Sequence, residues 1–281
     1  MVPAMTTPIP PTRTTTVVFR HALATRMTHW INALCILVLI LSGLQIFNAH
    51  PALYLGQASD FDAPVLAMTA RTGPDGTPIG ETTLLGATFE TTGVLGLSTN
   101  AGRPEARGFP AWLTLPTYRD LATGRRWHFF FAWLFVINGL AYLAYSVASR
   151  HLSRDLVPGW REIRSMPRAV LDHLRLRFDH GRDYNVLQKL AYLGLIVVVL
   201  PLVVATGLTM SPGMNAAVPW LVELFGGRQT ARTLHFVCAT LIVLFIVVHL
   251  MMVVLSGPIN NLRSMITGRY RTNAPEAPHA P

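Results

Sequence analysis

The sequence predicts an all-α integral membrane protein built as a four-helix bundle, with a long loop on one side and an interfacial helix on the other. Three observations carry this. Apolar residues gather into four blocks that contain no Lys, Arg, Asp or Glu, and each supplies the roughly 20 residues needed to cross a hydrocarbon core of about 30 Å. The 281 residues are 51% hydrophobic and only 13% charged, a balance unlike that of soluble domains. The arginines stand beside the blocks and not inside them, as in chains whose orientation is set by flanking positive charge.

Taken in order, residues 1–16 read as a disordered Thr/Pro-rich tail, and a membrane domain runs over residues 17–271. The first span covers about 27–49, with its apolar block from Trp30 to Ala49. It lacks a small-residue cleavage pattern behind a short apolar region and is read as a retained anchor. The loop 50–126 is rich in Gly and Thr, with turn signals at Thr72-Gly73-Pro74-Asp75-Gly76 and Asn100-Ala101-Gly102. At that length it is either a variable excursion or a small folded cap that meets a partner.

The second span covers about 127–149. Behind it, Trp160 to Phe178 mixes arginines with Ile163, Met166, Val170, Leu171, Leu174 and Phe178 at spacings of three and four, which predicts a helix lying along the membrane face. In the third span, about 189–210, Pro201 should bend the helix, while Gly194 and Gly207 allow close packing. The fourth span covers about 232–257, and residues 272–281 form a second disordered tail. No internal repeat is evident.

Charge sets the orientation. With the amino terminus inside, the inner segments hold 15 of the 23 basic residues, and the outer segments balance their eight against eight acidic ones. Both termini are therefore expected in the cytoplasm. The net charge of +9 is explained by anionic lipid headgroups, and nucleic acid is set aside because no aromatic-studded soluble face carries the charge. Cys35 and Cys238 lie within spans as small packing residues, and no Cys-x-x-Cys-His or thiolate cluster exists for c-type haem or iron–sulfur.

Four of the ten histidines lie in or at the mouths of spans: His29, His128, His235 and His249. Ionisable groups at membrane depth are costly and mark function, although a single one can simply hydrogen-bond a neighbouring helix. Here the arrangement is joint. His235 and His249 share the fourth span 14 residues apart, which at about 1.5 Å per residue separates them by roughly 21 Å on nearly one face. His29 opens the first span at the inner level, where His249 lies, and His128 opens the second at the outer level, where His235 lies. Two imidazoles on different helices at each of two levels match the axial ligands of two haem irons. Zinc would want three or four ligands converging on one point.

Arg26, Arg125 and Arg232 each precede one of these histidines by three residues and so share its helix face. Each guanidinium is expected at the level of haem propionates, with interfacial snorkelling as the plainer alternative. Gly43 follows His29 by 14 residues and is expected to leave room for the outer porphyrin, although span glycines also serve helix packing.

The Arg26-x-x-His29-Trp30 start, the Arg125-Arg126-Trp127-His128-Phe129 start and the His235-x13-His249 helix resemble the cytochrome b subunits of nickel-iron hydrogenases, thiosulfate reductases and formate dehydrogenases, within the wider bacterial cytochrome b561 class. The resemblance covers about residues 17–270. It implies two b-type haems, the inner held by His29 and His249 and the outer by His128 and His235. It also implies exchange with a quinone near the inner haem and with a periplasmic partner subunit at the outer face. The long loop, with Phe109-Pro110-Ala111-Trp112-Leu113-Thr114-Leu115-Pro116, most resembles versions that accompany a molybdopterin-dependent oxidoreductase, and its size departs from hydrogenase anchors.

The expectation is thus an electron-transfer subunit linking the quinone pool to a partner enzyme. A stand-alone superoxide:quinone oxidoreductase of the b561 type is the alternative, since Arg125, Arg126 and Arg232 would draw an anionic substrate. A haem-free transporter or sensor relaying protons through the histidines is a third, and it predicts a colourless protein.

Overall fold

The computed structural model describes residues 14–150, 157–167, 170–171 and 186–274. Along the chain run α1 (Leu23–Phe47), α2 (Leu121–Ala148), the short α3 (Trp160–Arg164), α4 (Val186–Thr209), the short α5 (Pro212–Ala217) and α6 (Trp220–Leu224), α7 (Arg228–Leu255) and α8 (Pro258–Thr267). Of these, α1, α2, α4 and α7 are long and apolar enough to cross a membrane.

The spans start earlier than their apolar blocks. Once the block is helical, the helix continues through the flanking polar residues until a group competes for its free N–H donors. For α2 that group is Asp120, whose carboxylate accepts from the Thr123 N–H at 3.0 Å and from its hydroxyl at 2.7 Å. For α7 it is the Gly56 carbonyl, which accepts from the Gln229 N–H at 2.9 Å, and Gly227, with φ of 117°, breaks the backbone direction there. Arg26, Arg125 and Arg232 consequently lie inside helices.

Helix α1 packs on α2, and α4 packs on α7. Cys35, Val38, Phe131 and Phe135 form the buried seam of the first pair. In α4 the irregularity expected at Pro201 takes the form of a π turn over Leu195–Val199. Proline has no N–H to return to the carbonyl four residues back, and a widened turn relieves the ring's clash there. Gly194 does not serve close packing, since a Cβ there would meet nothing within 4 Å among the described residues.

The connection between α1 and α2 is folded. Strands β2 (Ala52–Leu53), β3 (Leu66–Thr72), β4 (Pro78–Leu84) and β5 (Ala87–Glu90) form an antiparallel sheet in that order, beside a hairpin of β6 (Leu97–Asn100) and β7 (Arg103–Ala106). Both expected turn signals fall at hairpin tips. The Gly73 N–H bonds the Thr77 carbonyl at 2.7 Å, and Ala101 and Gly102 take φ of 49° and 78°. Phe47, Leu53, Leu66 and Met68 join this cap to the end of α1.

Arg107, 2% exposed, ties the cap to the bundle. Its Nε donates to Phe109 O at 2.8 Å, Nη1 to Thr117 O and Glu105, and Nη2 to Gln45 Oε1 and Thr114 Oγ1. The segment from Phe109 to Pro116 runs back along α1, where the Leu115 N–H reaches the Leu41 carbonyl at 3.1 Å.

At the opposite end, β1 (Thr14–Phe19) pairs antiparallel with β8 (Arg269–Ala274), from Thr14 opposite Ala274 to Phe19 opposite Arg269. Residues 14–16 and 272–274, expected in irregular tails, therefore belong to a sheet. Backbone pairing needs no apolar pattern, and the Thr-Thr-Thr-Val-Val run suits a pleated chain. Of the interfacial helix expected over Trp160 to Phe178, α3 is described, and Lys189 on α4 reaches its Glu162 at 2.8 Å. Residues 168–169 and everything from 172 to 185 lie outside the described residues.

Candidate functional site

Helix α7 carries His235 near the cap and His249 near the strand pair of the termini. Each meets a histidine of the first helix pair. The His128 and His235 ring centres are 6.3 Å apart with planes inclined at 63°, and those of His29 and His249 are 6.4 Å apart at 53°. Both expected pairs therefore come together, one at each end of the bundle. A metal–imidazole bond of about 2 Å, with the ring centre roughly 1 Å further on, places two imidazoles that share one iron at about 6 Å between centres. The observed spacings fit a bis-histidine haem at both levels.

The two levels differ in their surroundings. On the cap side, His128 Nδ1 lies 3.1 Å from Ser42 Oγ on α1. His235 Nδ1 lies 2.9 Å from the Val203 carbonyl and 3.3 Å from Thr206 Oγ1, both on α4. On the termini side, His29 meets Trp30 edge-on at 5.3 Å, and its buried Nδ1 has no hydrogen-bond partner among the described residues. His249 stacks on Phe245 at 5.8 Å and meets Tyr192 at 6.5 Å.

Gly43 lies against the His128 ring. A Cβ there would lie 3.3 Å from His128 Cε1, so the missing side chain makes room for the imidazole of the neighbouring helix. Gly207 does the same on α4, with His235 Cε1 at 3.1 Å.

Each of the three guanidiniums engages the protein. Arg26 Nη1 donates to the Ile266 carbonyl at the end of α8, where a cation complements free carbonyls, while its buried Nε has no acceptor among the described residues. Arg232 Nη2 donates to His50 O at 2.6 Å and lies over the Phe47 ring. Arg125 stacks over Phe129 of its own helix at 5.5 Å. His50 itself hydrogen-bonds Tyr54 at 3.1 Å. Burial, and then the Arg232 charge, push its imidazole below the usual histidine range, so it stands neutral beside that guanidinium.

An apolar groove of about 430 Å³ lies between α1 and α8, lined by Leu23, Met27, Trp30, Ile31, Met265 and Ile266 with Arg26 at its edge. Trp30 Nε1 closes one wall by donating to Met265 O at 3.1 Å.

Sequence reasoning missed Ser42, Thr206 and Arg107. The only signal for the first two was a hydroxyl residue directly before a span glycine, in Ser42-Gly43 and Thr206-Gly207.

Residues 20–268 match the family described as prokaryotic cytochrome b561. A putative protein-methionine-sulfoxide reductase subunit YedZ1 from Azospira oryzae is 35% identical over 132 residues, which is 46% of this chain and 64% of that protein. The aligned part thus spans less than two thirds of the length of the curated relative. No solved structure matches the chain.

Proposed function

The chain belongs to the prokaryotic cytochrome b561 family of membrane haem proteins, and from that premise we propose that it is a di-haem electron-transfer subunit between the quinone pool and a partner oxidoreductase. The observation that carries this reading is the two pairs of neighbouring imidazoles, 6.3 and 6.4 Å between ring centres, one pair toward each end of α7. His128 and His235 are the proposed axial ligands on the cap side, and His29 and His249 those on the termini side. When bound, the haems supply one-electron chemistry at two depths.

The chain's own residues set those depths and exclude water. Helix α7 fixes the two levels roughly 21 Å apart by its rise alone. Around the termini-side pair stand Trp30, Tyr192 and Phe245. The groove between α1 and α8 is of a size and polarity to accept a quinone ring, with Arg26 at its edge.

The folded cap offers a partner a fixed surface, and the similar Azospira protein is named a reductase subunit. Both support a periplasmic redox enzyme, molybdopterin-dependent or hydrogenase-like, docking there. The proposed setting is the bacterial cytoplasmic membrane with both termini inside.

The test is the reduced-minus-oxidised visible spectrum of the purified chain with haem quantified per polypeptide. Two b haems, reducible by a quinol analogue, are expected. His249→Ala should lose the termini-side haem and slow reduction by quinol, and unchanged haem content would contradict the assignment. Superoxide turnover by the chain without any partner would favour the stand-alone oxidoreductase instead.

A further inference from the structure

The cap-side histidines are held by a device that occurs twice. Helix α1 presents Ser42-Gly43 to His128 of α2, and α4 presents Thr206-Gly207 to His235 of α7. Each glycine leaves the gap into which the ring edge fits, and each preceding hydroxyl reaches the ring nitrogen on that edge. Both hydroxyl side chains are fully buried.

The direction of these hydrogen bonds follows from the donors available. Ser42 Oγ lies 2.6 Å from the Val38 carbonyl, and Thr206 Oγ1 lies 2.7 Å from the Leu202 carbonyl. A hydroxyl has one proton, and in each case it is committed to that carbonyl of its own helix. Toward the imidazole the oxygen can only accept. The Val203 carbonyl, 2.9 Å from His235 Nδ1, can likewise only accept. Both cap-side rings are therefore held as the tautomer protonated on Nδ1, which leaves the Nε2 lone pair free for a metal. On the termini side, His29 Nδ1 has no acceptor, and no hydrogen bond to His249 is found among the described residues.

Resting on the two-haem reading above, we infer that Ser42 and Thr206 are positioning residues that, beside the Leu39 and Val203 carbonyls, strengthen the hold on the Nδ1 protons of His128 and His235 and keep the cap-side haem at a lower reduction potential than it would otherwise have. An imidazole that donates its second N–H is a more basic ligand, and a more basic axial ligand favours the oxidised iron. Among the described residues the termini-side pair has no such acceptor, so the two centres are tuned separately by the chain.

The experiment is a spectropotentiometric titration of the full-length haem-loaded protein. Each iron takes one electron from the mediator, and Ser42→Ala, Thr206→Val and the double variant are compared with wild type. Two haems per chain should remain. One of the two components should rise by about tenfold in its reduction equilibrium per variant, about 59 mV for one electron. Ser42→Thr, which keeps the hydroxyl, should restore the wild-type value. The component that moves should be the one that survives in His249→Ala. If Ser42→Ala instead releases the cap-side haem and spares the other, the positioning role is supported directly, and Thr206→Val, which retains the Val203 carbonyl, carries the titration. Two bound haems whose midpoints stay put, or move together, would overturn the inference alone. A preparation without haem would overturn the two-haem reading itself.

Discussion

Gly207 decides where an imidazole can sit. The His235 ring passes over it with its Nδ1 already held by Val203 and Thr206, so it cannot swing aside without breaking those bonds. Gly207→Ala would place a Cβ 3.1 Å from His235 Cε1, an overpacking that costs about 1–3 kcal/mol. The expected outcome is loss of the cap-side haem, measured as haem per chain falling from two toward one while the termini-side component keeps its spectrum. Gly194→Ala, which meets nothing within 4 Å, should leave both. The four histidines were legible in the sequence because ionisable side chains at membrane depth are few and costly. Their hydroxyl partners were not, because Ser and Thr in apolar helices routinely bond their own carbonyl four residues back, as Ser42 and Thr206 also do. Arg26 and Arg232 were legible as residues on the ligand face, but a helix wheel does not show the carbonyls of Ile266 and His50 that claim them.

Among the elements, the spans were the readable part and the cap was not. Four charge-free apolar blocks can cross a bilayer only as helices, whereas the cap strands are short and alternate poorly. All four residues of β5 are exposed, and β3 alternates only over its first half. What stabilises the cap is concentrated in Arg107, which sequence alone marks merely as one of the outer basic residues. Its three nitrogens serve Phe109, Glu105, Thr117, Gln45 and Thr114 at once. Arg107→Met would leave buried acceptors on the cap and on α1 without a donor, a loss of about 3–5 kcal/mol by analogy with breaking a buried charge network. Limited proteolysis in detergent should show cleavage within residues 57–106 that wild type resists. Arg107→Lys should rescue little, because a point charge cannot reproduce the planar fork. The haems should persist, since neither imidazole pair touches Arg107. Cleavage no faster than in wild type would remove Arg107 from its anchoring role.

At the scale of the whole molecule, the four spans turn apolar side chains outward on every side. Leu34, Leu37, Ile137, Leu140, Val197, Val198, Leu244 and Leu250 are all exposed, which in water would be a large aggregating surface and in lipid is the solvated state. The ends of the bundle are unlike. The cap balances its charges with pairs such as Arg71 with Glu81 and Arg119 with Glu105, whereas Arg20, Arg263, Arg269 and Arg271 cluster around β1, α8 and β8. Unbalanced positive charge beside a span is retained in the cytoplasm, so the cap and the His128–His235 pair are expected outside and the groove between α1 and α8 inside. Cysteine labelling tests this cleanly, because the native Cys35 and Cys238 are 0% and 3% exposed and should stay silent. Thr88→Cys on β5 should react with a membrane-impermeant maleimide on intact cells, and Thr267→Cys at the end of α8 only after the membrane is opened. The reverse pattern would invert the protein, moving any partner of the cap into the cytoplasm and the groove to the far leaflet. Labelling of both sites in intact cells would mean that the two ends of the bundle do not lie on opposite sides of a membrane.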